Sequence, residues 1–193
     1  MIEQLNLSIQ LIISQTRQHL KILEIILAIP WGLFFLSCFN NRLLSLGIYP
    51  RSAQGILGIF LAPFLHVNFN HIFFNSIPLV VLSNFLLMNG LYYFLTVTLL
   101  ITMCSGLLIW CFAKPGIHIG ASALITGYWG LLITNSLQQN NMTSYILGAL
   151  SFYYFSGILL GIFPSKKGIS WEGHFFGLLS GVFLPHILKL TIA

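Results

Sequence analysis

The chain has 193 residues, 57% of them apolar and only 6% charged, with a formal net charge of +5. A soluble domain carries about 25% charged residues, so this chain cannot cover a water-facing surface and reads as an integral membrane protein. No basic stripe interleaved with aromatics is present, which argues against nucleic acid as a partner; the surplus of cations fits contact with lipid head groups instead.

Residues 1–21 read as an N-terminal interfacial or cytoplasmic segment. Ile2, Leu5, Ile9, Ile12, Ile13 and Leu20 can line one face of an interfacial helix; the same stretch can equally extend the first span. It lacks a basic n-region followed by an apolar run and a small-residue cleavage site, so no cleavable signal peptide is expected. Residues 22–193 read as one membrane domain. The long unbroken apolar runs exclude a β-barrel, whose strands alternate. A spanning helix needs about 20 apolar residues, and six spans are predicted at 22–39, 71–88, 91–112, 121–137, 144–163 and 171–190. The expected fold is thus all-α, a six-transmembrane-helix bundle.

Between the first two spans, GILGIFLAPFL (55–65) is apolar but too short to cross, and reads as a re-entrant or interfacial segment. Pro78 should kink the second span, and Asn89-Gly90 makes a tight turn into the third. No internal repeat or inverted symmetry suggests a transporter. Glu172 is the only acid beyond residue 24, so no acid ladder lines a proton or cation path. Cys38, Cys104 and Cys111 fall inside predicted spans with no zinc or redox spacing, and the histidines show no ligand spacing. Neither a metal nor a cofactor is expected.

Polar groups inside spans are informative because each is costly in lipid. HIGASALITGYWG (118–130) sets Ser122 among small residues: Gly120, Ala123, Gly127 and Gly130 recur at helical spacing. The sixth span carries a matching row, Gly173, Gly177 and Gly181. Such rows let membrane helices approach backbone to backbone. The second, fourth and sixth spans run parallel, so His71, Ser122 and His174, each near the start of its span, lie at one membrane face. If the small rows meet, the serine hydroxyl and the imidazole come within reach. A serine nucleophile needs an adjacent base, and histidine suits that role. With acids nearly absent, a Ser-His dyad is the simpler arrangement; Glu172, two residues from His174, does not share its helix face. His71 and Asn75, at i and i+4, can donate hydrogen bonds to an oxyanion together with the Ser122 N–H. His118, four residues before Ser122, is a competing base. Taken singly, each residue has a blander reading: Ser122 bonded to its own i−4 carbonyl, His174 interfacial, His71 and Asn75 as helix glue, the glycines as packing.

Together these elements resemble the rhomboid intramembrane serine proteases. The resemblance rests on HVNFNHIFFN (66–75), on GAS followed by spaced glycines (120–130) and on GHFFGLLSG (173–181). PRSAQGILGIFLAPFLH (50–66) is similar to the segment leading into the second span of bacterial members. It covers about Leu46 to Leu184. It implies a six-helix bundle with a water-filled site recessed in the membrane. Ser122 would be the nucleophile and His174 the general base. His71, Asn75 and the Ser122 backbone would form the oxyanion hole, and His66 would be structural. A cap at about 164–170 would part with the fifth helix to admit substrate sideways. The implied substrates are transmembrane proteins, and the implied setting is the bacterial inner membrane.

Two positions depart from the family pattern. Ala123 follows the serine where glycine is usual, and its methyl can crowd the oxyanion. Thr126 stands where many members carry an aromatic that stacks on the histidine, so either another group orients His174 or the site is slow. A non-catalytic relative that binds transmembrane clients is therefore the alternative expectation. Charge adds a conflict. The family's orientation puts Arg17, Lys21 and Lys189 inside and Arg42, Arg51, Lys114, Lys166 and Lys167 outside, whereas the positive-inside rule favours the reverse.

Overall fold

The structure, a computed structural model, describes residues 2–163 and 170–192, with side chains as far as residue 188. Most of the expected cap, with Lys166 and Lys167, and the Lys189 side chain lie outside the described residues. Seven α-helices form among the described residues: α1 Ile2–Phe39, α2 Ala53–Leu61, α3 Phe69–Leu87, α4 Leu91–Phe112, α5 Ser122–Gln138, α6 Met142–Phe155 and α7 Trp171–Ile192. A 3₁₀ segment, Ser156–Ile162, continues α6. The starts of α2, α3 and α6 carry side-chain caps. Asn68 accepts from the His71 N–H at 2.9 Å, Ser52 from Gly55 at 3.0 Å, and Asn141 from Ser144 at 2.8 Å.

Among the described residues, four helical stretches are long and apolar enough to cross a bilayer: α1, α3, α4 and the run Met142–Ile162. The fold is an all-α membrane bundle. The predicted fourth span, α5, is shorter, at 17 residues, and 11 of them are buried. A helix ringed by protein has no need to match the thickness of the lipid. It packs on α3, α4, α6 and α7, and Leu124, Ile125, Tyr128, Trp129, Leu131 and Leu132 anchor the main core from it.

Residues 2–21 do not form a separate element; they continue into 22–39 as one 38-residue helix. At 1.5 Å per residue it is roughly 57 Å long, well beyond the roughly 30 Å of hydrocarbon. Polar contacts hold it to the bundle. Asn84 of α3 donates to Thr16 at 2.8 Å and lies 3.1 Å from His19 Nδ1, and Trp31 donates to Ser76 at 3.0 Å. Pro78 sits inside α3 without ending it, as membrane helices tolerate. The short apolar segment before α3 is α2, which packs on α4; Ile59 and Ile109 share one cluster there with the flanking Ile48, Ala62 and Ala113.

The small rows of α5 and α7 face each other. A Cβ on Gly181 would collide with the Gly127 carbonyl, and one on Gly177 with the Ala123 carbonyl and the Thr126 hydroxyl. Gly130 lies against Leu178 and Val182. Two of the expected packing glycines do something else. Among the described residues, Gly173 has only the Ser170 hydroxyl nearby, 3.8 Å from where its Cβ would stand, and Gly120 faces His71 rather than α7. Hydrogen bonds reinforce the centre: Trp129 Nε1 donates to the Ser151 carbonyl at 2.9 Å, and the Tyr128 hydroxyl lies 2.6 Å from that of Thr98. Each such bond in a membrane is worth about 1 kcal/mol.

Candidate active site

The close α5–α7 approach brings the two helix starts to one place. Ser122 is the first residue of α5 and His174 lies in the first turn of α7. Both open on one cavity of about 500 Å³, which His71, Asn75, Gly120 and Ser170 also line. Both side chains are half-buried. Among the described residues no hydrogen bond joins the Ser122 hydroxyl to His174. In an unliganded site such bonds are commonly long and tighten only with substrate.

His174 is held by backbone. Its Nδ1 lies 3.3 Å from the Ser170 carbonyl. A carbonyl only accepts, so Nδ1 carries the proton and Nε2 keeps its lone pair. That is the tautomer a general base needs. One ring face is covered by Gly161, in the 3₁₀ segment after α6: a Cβ there would lie 3.2 Å from Cγ, Cδ2 and Nε2. Glu172 makes no bond to His174; it faces the Ser170 hydroxyl instead. Ser170 and Gly161 were not singled out from the sequence. A serine four residues before the histidine, at a helix-start position, was the available signal for the first. Nothing in the sequence marked the second.

The side of the cavity with the expected oxyanion donors comes from α3 and the turn before α5. Gly120 has φ +112°, a conformation that favours glycine. A Cβ there would stand 2.5 Å from His71 Nε2 and 3.5 Å from Asn75 Nδ2. Both side chains therefore border the backbone just ahead of Ser122. The Ser122 N–H, in the first turn of a helix, has no intrahelical acceptor. His66 braces this group from behind. It is 1% exposed, and its Nε2 lies 3.1 Å from Asn75 Nδ2 and 3.4 Å from the Ala121 N–H. Both are donors, so Nε2 accepts and the ring is neutral. Burial, and then the neighbouring His71, push the His66 pKa down to about 4, against the pull of the Phe64 backbone.

This has a pH consequence. The folded state holds His66 neutral, whereas the unfolded chain takes up a proton below about pH 6.5. Stability is therefore full above pH 6.5 and falls as the pH drops towards 4, by about 3 kcal/mol at most. Melting temperatures in detergent between pH 7.5 and 4 should fall more steeply for the parent than for His66→Gln. Parallel curves would show that His66 does not titrate in this way.

His118, the competing base, has both ring nitrogens engaged, Nε2 with the Lys114 carbonyl at 3.0 Å and Nδ1 with the Ser170 hydroxyl at 2.9 Å. It lines the cavity but makes no bond to Ser122.

The model of the Rhomboid domain family matches residues 53–190, which takes in α2 to α7 as far as residue 190 and every cavity residue named above. The chain belongs to the rhomboid family. Relatives of this rhomboid include an uncharacterized protein of Mycobacterium tuberculosis, 34% identical over 159 residues, 78% of this chain and 66% of the relative. An uncharacterized protein of Mycobacterium leprae is 34% identical over 152 residues, 74% of this chain and 60% of the relative. The chain spans just under two thirds of the length of these curated relatives. It is thus a rhomboid-family membrane protein, an intramembrane protease or an inactive relative of one.

The departures from the rhomboid pattern have local reasons. Thr126 is 1% exposed and bonds the Ser122 and Ala123 carbonyls at 3.0 and 2.9 Å. Gly177 of α7 rests on its hydroxyl. An aromatic at 126 would hold α7 away, and here Gly161 covers the imidazole instead. The Ala123 side chain packs towards the Ile48–Ile109 cluster. One cation on the cavity side, Arg51, is tied to the end of α4, donating to the Cys111 and Ala113 carbonyls at 3.1 and 2.9 Å. It offsets the negative end of a helix, a role independent of membrane orientation.

Proposed function

We propose that this rhomboid is an active intramembrane serine endopeptidase that cuts transmembrane segments through a Ser122–His174 dyad, in a bacterial inner membrane. The observation that carries the reading is the His174 tautomer. A backbone carbonyl holds Nδ1–H, and Nε2 is left to accept a proton in the cavity that Ser122 enters.

The chemistry follows from the donors present. A substrate helix unwinds near the cavity face and offers a peptide carbonyl. His174 Nε2 takes the Ser122 proton as Oγ attacks. The oxyanion meets the Ser122 N–H and the side chains of His71 and Asn75. The imidazolium then protonates the leaving amine, and water hydrolyses the acyl-enzyme with His174 again as base. A carbonyl orients the imidazole but stabilises its cation less than a carboxylate does, so a modest turnover is expected. Segments that unwind readily, with small or helix-breaking residues near the cut, are favoured substrates.

The test is labelling of the detergent-solubilised protein with a fluorophosphonate probe. The parent should label, and Ser122→Ala and His174→Ala should each lose labelling by about 10⁴-fold or more. A folded parent that does not label would replace this reading with that of a client-binding relative.

A further inference from the structure

We propose that His118, Ser170 and Glu172 form a hydrogen-bonded network that positions His174 for base catalysis. The inference rests on the protease reading above. Ser170 is the meeting point of four groups. Its carbonyl accepts from His174 Nδ1 at 3.3 Å. Its hydroxyl accepts from the Gly173 N–H at 3.3 Å, which caps the first turn of α7. The same hydroxyl lies 2.9 Å from His118 Nδ1 and 3.3 Å from Glu172 Oε2.

The protons can be placed. The Lys114 carbonyl, 3.0 Å from His118 Nε2, only accepts, so Nε2 carries a proton. The Ser170 hydroxyl has one proton to give, and two acceptors face it, His118 Nδ1 and the Glu172 carboxylate. Glu172 is 6% exposed, and the first turn of a helix is where a carboxylate is favoured.

The network also ties the two catalytic helices together. His118 lies on the strand-like stretch that leads into Ser122, where its N–H and carbonyl pair with those of Ile48 at 2.8 and 3.0 Å. Ser170 opens α7. The link therefore sets the approach to the nucleophile's helix against the start of the base's helix. None of the three residues bonds Ser122, so they are positioning residues. Proximity of this kind decides rates steeply, since a misplacement of about 1 Å can cost about 100-fold.

The test is the rate of fluorophosphonate labelling against probe concentration, which separates the maximal rate from the half-saturating concentration. Ser170→Ala and His118→Ala should lower the maximal rate by about tenfold or more. The half-saturating concentration should stay put, and Ser170→Thr should restore most of the rate. His118→Ala leaves the α7 cap intact and carries the test if Ser170→Ala does not fold. Variants that label as fast as a labelling parent overturn the network alone. A slow Ser170→Ala without rescue by Ser170→Thr overturns it too. A folded parent that never labels overturns the protease reading, and the positioning role with it.

Discussion

Gly181→Ala is expected to leave little folded protein. The added Cβ would overlap the Gly127 carbonyl of α5. That obstacle is helical backbone, which cannot rotate aside as a side chain can. Gly127 cannot retreat either, because its own far side meets Ile101 of α4. The helices must part, and the contacts of Gly130 with Leu178 and of Thr126 with Gly177 go with them. Overpacking against movable side chains costs about 1–3 kcal/mol; against backbone the upper end or beyond is expected. Gly173→Ala in the same helix is the control, since its Cβ would meet nothing closer than 3.8 Å. Alanine is the better helix former by up to about 1 kcal/mol, so that variant should melt at or above the parent. Melting temperature and folded yield in detergent decide the matter. A Gly181→Ala protein that melts within a few degrees of the parent would show that α5 and α7 are not in backbone contact.

Gly120→Ala should spare the fold and damage the chemistry. Two effects act at this position. The φ of +112° is strained for any L side chain, and the new methyl would press on His71 at Nε2 and Cε1. The imidazole has the cavity to swing into, so the bundle survives while the proposed oxyanion donor moves. Loss of one such donor costs about 10²–10³-fold in rate. Fluorophosphonate labelling of Ser122 should fall by about that factor. Gly116→Ala separates strain from displacement: its φ is +148°, also on the positive side, but nothing lies within 4 Å of its Cβ. If Gly116→Ala slows labelling as much as Gly120→Ala does, then displacement of His71 is not the cause.

Much of the architecture was legible in the sequence because lipid imposes simple rules. Apolar length marked where most of the described helices lie, and the expectation that α3, α5 and α7 start at one face came from counting predicted crossings. The spacing of Gly177 and Gly181 is a packing pattern that local sequence carries on its own. The helix boundaries have physical causes too. Residues 2–21 continue α1 because Thr16 and His19 find a partner in Asn84, 65 and more positions away in the chain. The helix of Ser122 starts at the serine itself because Gly120 turns the backbone there.

By itself the sequence determined the membrane setting, the all-α class and the shortlist of polar residues at one face. Composition and periodicity are local properties, and they suffice for that. Only the tertiary structure decided what holds each of those residues. The carbonyl that orients His174 belongs to Ser170, the ring that braces Asn75 is His66, and the surface that covers the imidazole is the Gly161 backbone. The Ser170 carbonyl and the Gly161 backbone leave no side-chain pattern, because backbone groups are the same at every position. Which carbonyl or glycine meets which ring is fixed only when the helices pack.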